Sequence, residues 1–94
     1  SRMRERLREC WTVNAGADGA DQVRVEVEVK FARDGRVVGQ PRIVNSSSSP
    51  LFRDFAESAV RALFKCQPFD FLPADKYEGG WEHMIVAFSL RDMF

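Results

Sequence analysis

Histidine occurs once in this chain, at His83, and cysteine only twice, at Cys10 and Cys66. No zinc-ligand spacing, no Cys-x-x-Cys redox pair and no glycine-rich phosphate loop is present, so a metal, redox or nucleotide cofactor has no motif to hold it. Net charge is missing too. Lys plus Arg and Asp plus Glu each number 14, which leaves no long-range attraction toward nucleic-acid backbones or anionic membranes. No apolar run approaches the roughly 18–20 residues that a membrane span requires, and no charged-apolar-small pattern marks a secretory signal. Any anchor or export signal is expected outside this stretch. There is no internal repeat. Length alone allows one small domain, residues 1–94, burying somewhat more than about 60% of its unfolded surface.

What is present is strong periodicity. From Ser49 to Cys66 the residues Phe52, Phe55, Ala56, Ala59, Val60 and Leu63 recur at three- and four-residue steps, the stripe of an amphipathic helix. Arg53, Asp54, Glu57, Ser58, Arg61 and Lys65 fall on its other side. Ser49 suits a cap and Pro50 the first helical position, where a missing N–H costs nothing. Residues 2–11 form a shorter helix with Met3, Leu7, Cys10 and Trp11 on one side. Between the helices, Val23, Val25, Val27, Val29 and Phe31 alternate with Arg24, Glu26, Glu28 and Lys30, the pattern of a half-buried antiparallel strand. Asp34-Gly35 turns the chain into a second strand, Arg36 to Asn45. A third runs from about Glu82 to Leu90. Its Met84, Val86, Phe88 and Leu90 share one face; His83, Ile85, Ala87 and Ser89 share the other. The segment Gln67 to Gly80 carries two prolines and two glycines, yet also Phe69, Phe71, Leu72 and Tyr77. It reads as a loop laid over the core. These elements give an α+β fold of order α-β-β-α-β: two layers, a three-stranded antiparallel sheet, and helices on one face.

Strand order decides function. Pro41 cannot donate to a ladder, so it marks the second strand as an edge or a bulge. The valine-rich strand is then central, the order is 2-1-3, and the third strand is the other edge. It has no interior proline or lysine to block pairing, and an unblocked edge accepts a strand from a partner. The candidate partner-binding residues are therefore His83, Met84, Ile85, Val86, Ala87, Phe88 and Ser89. The same edge also permits a homodimer that swaps its last strand.

Chemistry is harder to find. Cys10 or Cys66 with His83 is a candidate thiol–imidazole pair for a small thiol enzyme or redox protein. Trp11 beside Cys10 and Leu63 one turn before Cys66 place the sulfurs in apolar settings, which favours a structural role. Two structural readings remain open for them: buried thiols in a reducing compartment, or a disulfide tying the helix ends in an oxidising one. Asp70, Asp75, Glu78 and Glu82 are scattered and fall short of a calcium cage. Arg2, Arg4, Arg6 and Arg8 are interrupted by Glu5 and accompanied by no aromatic platform, against a nucleic-acid site. The chain reads as a binding module: no enzyme, no cofactor, no metal.

Several segments together resemble a known family. They are Arg8-Glu9-Cys10-Trp11; the hairpin Phe31 to Val38 around Asp34-Gly35; Asn45-Ser46-Ser47 leading to Pro50-Leu51-Phe52; Ala62 to Pro68, ending Lys65-Cys66-Gln67-Pro68; and Phe88 with Arg91-Asp92-Met93-Phe94. Their order and spacing, over nearly the whole chain, resemble the C-terminal domain of TolA within the TonB/TolA C-terminal superfamily. The resemblance implies a periplasmic domain of a protein anchored in the inner membrane. It implies TolQ and TolR as partners of regions outside this chain, and TolB, with Pal behind it, as partners of this domain in a Tol-Pal system serving envelope integrity and cell division. It further implies use as a receptor by filamentous phage coat proteins and in colicin import, and it favours the Cys10–Cys66 disulfide. A TonB-like transducer engaging outer-membrane transporters is the alternative within the superfamily.

Overall fold

The computed structural model describes residues 2–93; Phe94, one of the TolA-like residues, lies outside them. In order, the chain forms α1 (Arg2–Cys10), β1 (Arg24–Phe31), β2 (Val37–Ile43), α2 (Phe52–Cys66), β3 (His83–Ser89) and a final turn of helix, α3 (Leu90–Met93). One-turn 3-10 segments at Ala20–Gln22 and Ala74–Lys76 punctuate the loops. The expected α+β architecture is observed, and the three strands are antiparallel in the order β2-β1-β3.

The alternating valines produce this arrangement directly. Val23, Val25, Val27, Val29 and Phe31 are all buried, forming an apolar floor on which α2 lies. Phe55, Ala59, Ala62 and Leu63 of α2 and Phe88 of β3 close the core above it. At roughly 25 cal/mol per Å² of apolar surface removed from water, this layer-to-layer contact is the main stabilising term. The hairpin between β1 and β2 turns at Gly35, whose φ is 86° and whose N–H donates to the Ala32 carbonyl at 2.9 Å.

Three details depart from the periodicity. First, α2 begins at Phe52, with Pro50 and Leu51 in the preceding turn. The N-cap is Leu51, without a side-chain cap bond, so Ser49 is not the cap expected of it; it braces the preceding turn instead, its Oγ accepting the Leu51 N–H at 3.1 Å and its carbonyl the Phe52 N–H at 3.1 Å. Second, Ser58, expected on the polar side, is only 5% exposed. Its hydroxyl accepts from Trp11 Nε1 at 2.8 Å and donates to the Phe55 carbonyl at 2.7 Å, so the buried group is satisfied. Third, Ser89, expected on the solvent face, is also buried. Its Oγ accepts the Asp92 N–H at 3.2 Å and starts α3.

Pro41 is both at an edge and in an irregularity. Glu28 pairs with Arg42 and Lys30 with Val38, so opposite the one residue Val29 the second strand runs through Gly39, Gln40 and Pro41. Gly39 takes a φ of 70° there. Bulging of this kind twists an edge away from foreign strands. The 67–80 loop does cover the core. Phe69 is fully buried, edge-on to Phe31 at 5.3 Å between ring centroids. Trp81 Nε1 donates to the Pro73 carbonyl and Tyr77 Oη to the Phe31 carbonyl, each at 2.6 Å.

Candidate docking edge

Hydrogen bonds on β1 determine which amides of β3 are already paired. The Glu26 carbonyl accepts the Val44 N–H at 2.9 Å, and the Glu26 N–H goes to Asn45 Oδ1 at 2.8 Å. Even-numbered residues of β1 therefore face β2. The Phe31 N–H donates to the Glu82 carbonyl at 2.9 Å, so odd-numbered ones face β3. Opposite them stand Met84, Val86 and Phe88, whose backbone groups turn inward to β1. Because strand residues alternate, His83, Ile85 and Ala87 turn their N–H and C=O groups outward. No strand pairs with that side among the described residues.

Of the seven residues expected along this edge, the structure gives them three positions. Met84, Val86 and Phe88 anchor the strand to the core side. His83, Ile85 and Ala87 present the outward row, and Ile85, 60% exposed, is the most exposed large apolar side chain of the described residues. Ser89 is engaged as the α3 cap.

One charged row crosses all three strands on the open sheet face. Arg42 Nη2 and Nε reach Glu28 Oε1 at 2.9 and 3.1 Å, while His83 Nε2 lies 2.9 Å from Glu28 Oε2. The Arg42 hydrogen bond, followed by that of His83, holds the Glu28 carboxyl below its ordinary 4.5. The row ties the start of β3 to the centre of the sheet. It also takes His83 away from the cysteines, which lie in the helical layer on the other face. Cys10 and Cys66 are bonded to each other, with 5.8 Å between their Cα atoms. The thiol–imidazole trio is thus not brought together. Nor are the scattered acids: Glu78 pairs with Arg33, and among the described residues no three His, Cys, Asp or Glu side chains converge as metal ligands.

Beside the edge runs a groove of about 360 Å³, walled by β3 on one side and by α1 and α3 on the other. Periodicity pointed to Met3 and Leu7 as the inner stripe of α1 but not to this second use of them; Met93 carried no signal, because α3 is a single turn. Several links hold α1 in place. The disulfide joins its C-terminus to that of α2, Arg6 Nη2 donates to the Cys66 carbonyl at 3.1 Å, and Leu7 is buried.

The solution NMR structure of TolAIII bound to a peptide derived from the N-terminus of TolB superposes with a TM-score of 0.63 at 20% identity, covering 88% of this chain and 64% of that one. At that identity the likeness establishes the fold, which is TolA-like; the chain spans less than two thirds of that protein's length. By sequence the chain belongs to the family described as uncharacterised conserved protein UCP034077, whose model matches residues 1–76. That match ends before β3. No curated protein matches the sequence.

Proposed function

We propose that this chain is a protein-binding domain that accepts an extended segment of its partner as a fourth strand along β3. The observation that carries the reading is the outward row of His83, Ile85 and Ala87 at an unblocked edge, in contrast to β2, whose edge is bulged at Pro41. A second observation supports it: a protein of the same fold is known with a TolB-derived peptide bound. A TolB-like protein is accordingly the proposed partner, with Pal reached through it. In this reading residues 1–94 act as one periplasmic domain of an inner-membrane-anchored Tol-Pal protein, driven by TolQ and TolR through regions outside this chain. Phage coat proteins and colicins would compete for the same edge. Binding, not catalysis, is the activity. The partner-binding residues are His83 to Ser89, with Cys10 and Cys66 as a structural bridge.

A titration of the isotopically labelled, disulfide-bonded protein with a peptide from a TolB N-terminus tests this. The amides of His83, Ile85 and Ala87 should shift first and most. Ala87→Pro removes an outward-facing donor that no intramolecular bond uses; it should abolish binding while the remaining amide spectrum stays native. Shifts centred on Val37–Ile43 instead, or undiminished binding by Ala87→Pro, would refute the assignment.

A further inference from the structure

The outward row of β3 is symmetric about its middle residue. His83, Ile85 and Ala87 carry the outward backbone groups, so a second copy laid antiparallel along this edge, with the two Ile85 residues opposite one another, uses all three in both chains. His83 then faces the partner's Ala87, and Ala87 the partner's His83. Sliding the pair by two residues in either direction breaks the match, because it calls on Ser89, already engaged at the start of α3, or on Trp81, buried before the strand begins. Only the register centred on Ile85 is complete.

Side chains agree with that register on both faces of the sheet. On the open face Ile85, 60% exposed in the single chain, meets its own counterpart. His83, the one titratable group of the row, is drawn toward β1 by Glu28 at 2.9 Å and meets alanine, so no like charges stand opposite each other across the edge. On the helical face, half-buried Met84 comes to lie beside the partner's Val86, and Val86 beside the partner's Met84. Apolar surface of each copy thus covers apolar surface of the other. The chain carries 14 charges of each sign, which leaves no net repulsion between copies.

We infer that a second copy of this chain occupies the β3 edge when no other partner is bound, in a two-fold symmetric pair whose three-stranded sheets join in the order β2-β1-β3-β3-β1-β2. Each copy keeps its own strand, unlike a swapped dimer, and the symmetry axis passes between the two Ile85 residues. Contact is confined to one short strand from each copy, which puts the pair in the weak, reversible class, with a dissociation constant on the order of 0.1–1 mM. Resting on the strand-acceptor reading above, the pair has a consequence for docking: it caps the edge at high local concentration, and a partner strand binds by displacing the second copy.

Sedimentation equilibrium of the oxidised protein from about 20 μM to about 2 mM tests this. The mean mass should rise from 10.8 kDa toward twice that value, and a sample mixing labelled with unlabelled chains should show contacts between the Met84 and Val86 α-protons of different copies. Ile85→Lys and Ile85→Glu each place like charges on the axis and should each weaken self-association at least about tenfold, whereas their equimolar mixture should pair at least about fivefold more tightly than either variant alone. Rescue by mixing reads the register and is not mimicked by a folding defect. The apparent affinity of a TolB-derived peptide should fall as protein concentration rises through the range where pairing sets in. A wild type that stays monomeric to about 2 mM, variants that remain dimeric as a swapped strand would leave them, or a mixture no tighter than its components would overturn the inference. In each case, peptide-induced shifts of the His83, Ile85 and Ala87 amides would leave the docking edge intact. Absence of both the pairing and those shifts would overturn both.

Discussion

Breaking the Cys10–Cys66 bond should cost this protein a large share of its stability. The bridge spans 56 residues of sequence, and closing a loop of that length in the unfolded chain is worth about 4 kcal/mol on a chain-entropy basis. A chain of this size has in all only roughly 5–14 kcal/mol. The perturbation is made in two ways: reductant on the wild type, and the double variant Cys10→Ala/Cys66→Ala. Since Cys66 is fully buried, the alanine variant carries an added packing loss, while the reduced wild type isolates the cross-link. Urea unfolding followed by tryptophan fluorescence should show the midpoint falling by roughly 2–4 M, with a somewhat steeper slope because the unlinked denatured chain is less compact. Thermal melting should fall by roughly 15–30 °C. Amide exchange should place the first loss of protection in α1, whose C-terminal end is tied to α2 by the bridge together with the Arg6 bond to the Cys66 carbonyl and the Trp11 bond to Ser58. A loss below about 1 kcal/mol on reduction, or α1 staying as protected as β1, would refute the reasoning that the bridge restrains this helix.

Gly35→Ala should be severely destabilising, by about 2 kcal/mol or more in denaturant titration, because the added Cβ would lie 2.6 Å from backbone atoms of Phe69 in addition to the strain at a φ of 86°. Gly79→Ala is its control: φ is 73° but the space is open, so only the strain, about 1–2 kcal/mol, should be measured. Ser58→Ala removes the acceptor of the buried Trp11 N–H and should lower unfolding free energy by about 1–3 kcal/mol with a change in the near-ultraviolet tryptophan signal. For Glu28, the carboxyl is held below 4.5 by Arg42 and then His83. Its contribution is therefore present above that value, where the unfolded carboxylate is ionised as well, and is lost as pH falls through the lower folded value. The stability difference between wild type and Glu28→Gln should accordingly be constant above about pH 5 and shrink in more acid solution, measured by urea titration at each pH.

Much of the fold was legible because two physical periods are written cleanly into the chain. Val23 to Phe31 alternate without a break, and a strand so patterned has only one way to lie on an apolar helix face. Pro41 then fixed which neighbour is the outer one. The helix stripe was less well resolved. Ser58 looks polar by type, yet it is buried because Trp11, folded back from the end of α1, brings a donor to it; pairing over 47 residues leaves no local trace. The disulfide was open from the residues themselves and favoured only by the family likeness, since two cysteines at helix ends do not reveal whether the ends meet. The groove was invisible for the same reason. Met3, Met84 and Met93 share no spacing and become one surface only when α1, β3 and α3 are in place.

The length of the free edge constrains how docking must work. His83 and Ser89 are already engaged, by Glu28 and by the start of α3 respectively, and both ends of β3 are thereby tied to the body of the domain. Between and including His83 and Ala87, only three residues turn backbone groups outward. Each can offer one donor and one acceptor, and at about 0.5–1.5 kcal/mol net per hydrogen bond the whole ladder yields roughly 3–9 kcal/mol. Association costs roughly 4–15 kcal/mol in lost freedom. The backbone ladder alone therefore falls near or below the cost of joining two bodies. Side chains entering the groove must supply the surplus, at roughly 1.5–3 kcal/mol for each large apolar group buried. In the proposed docking, an edge this short would set register and direction, and the apolar side chains buried beside it would supply the rest of the binding energy.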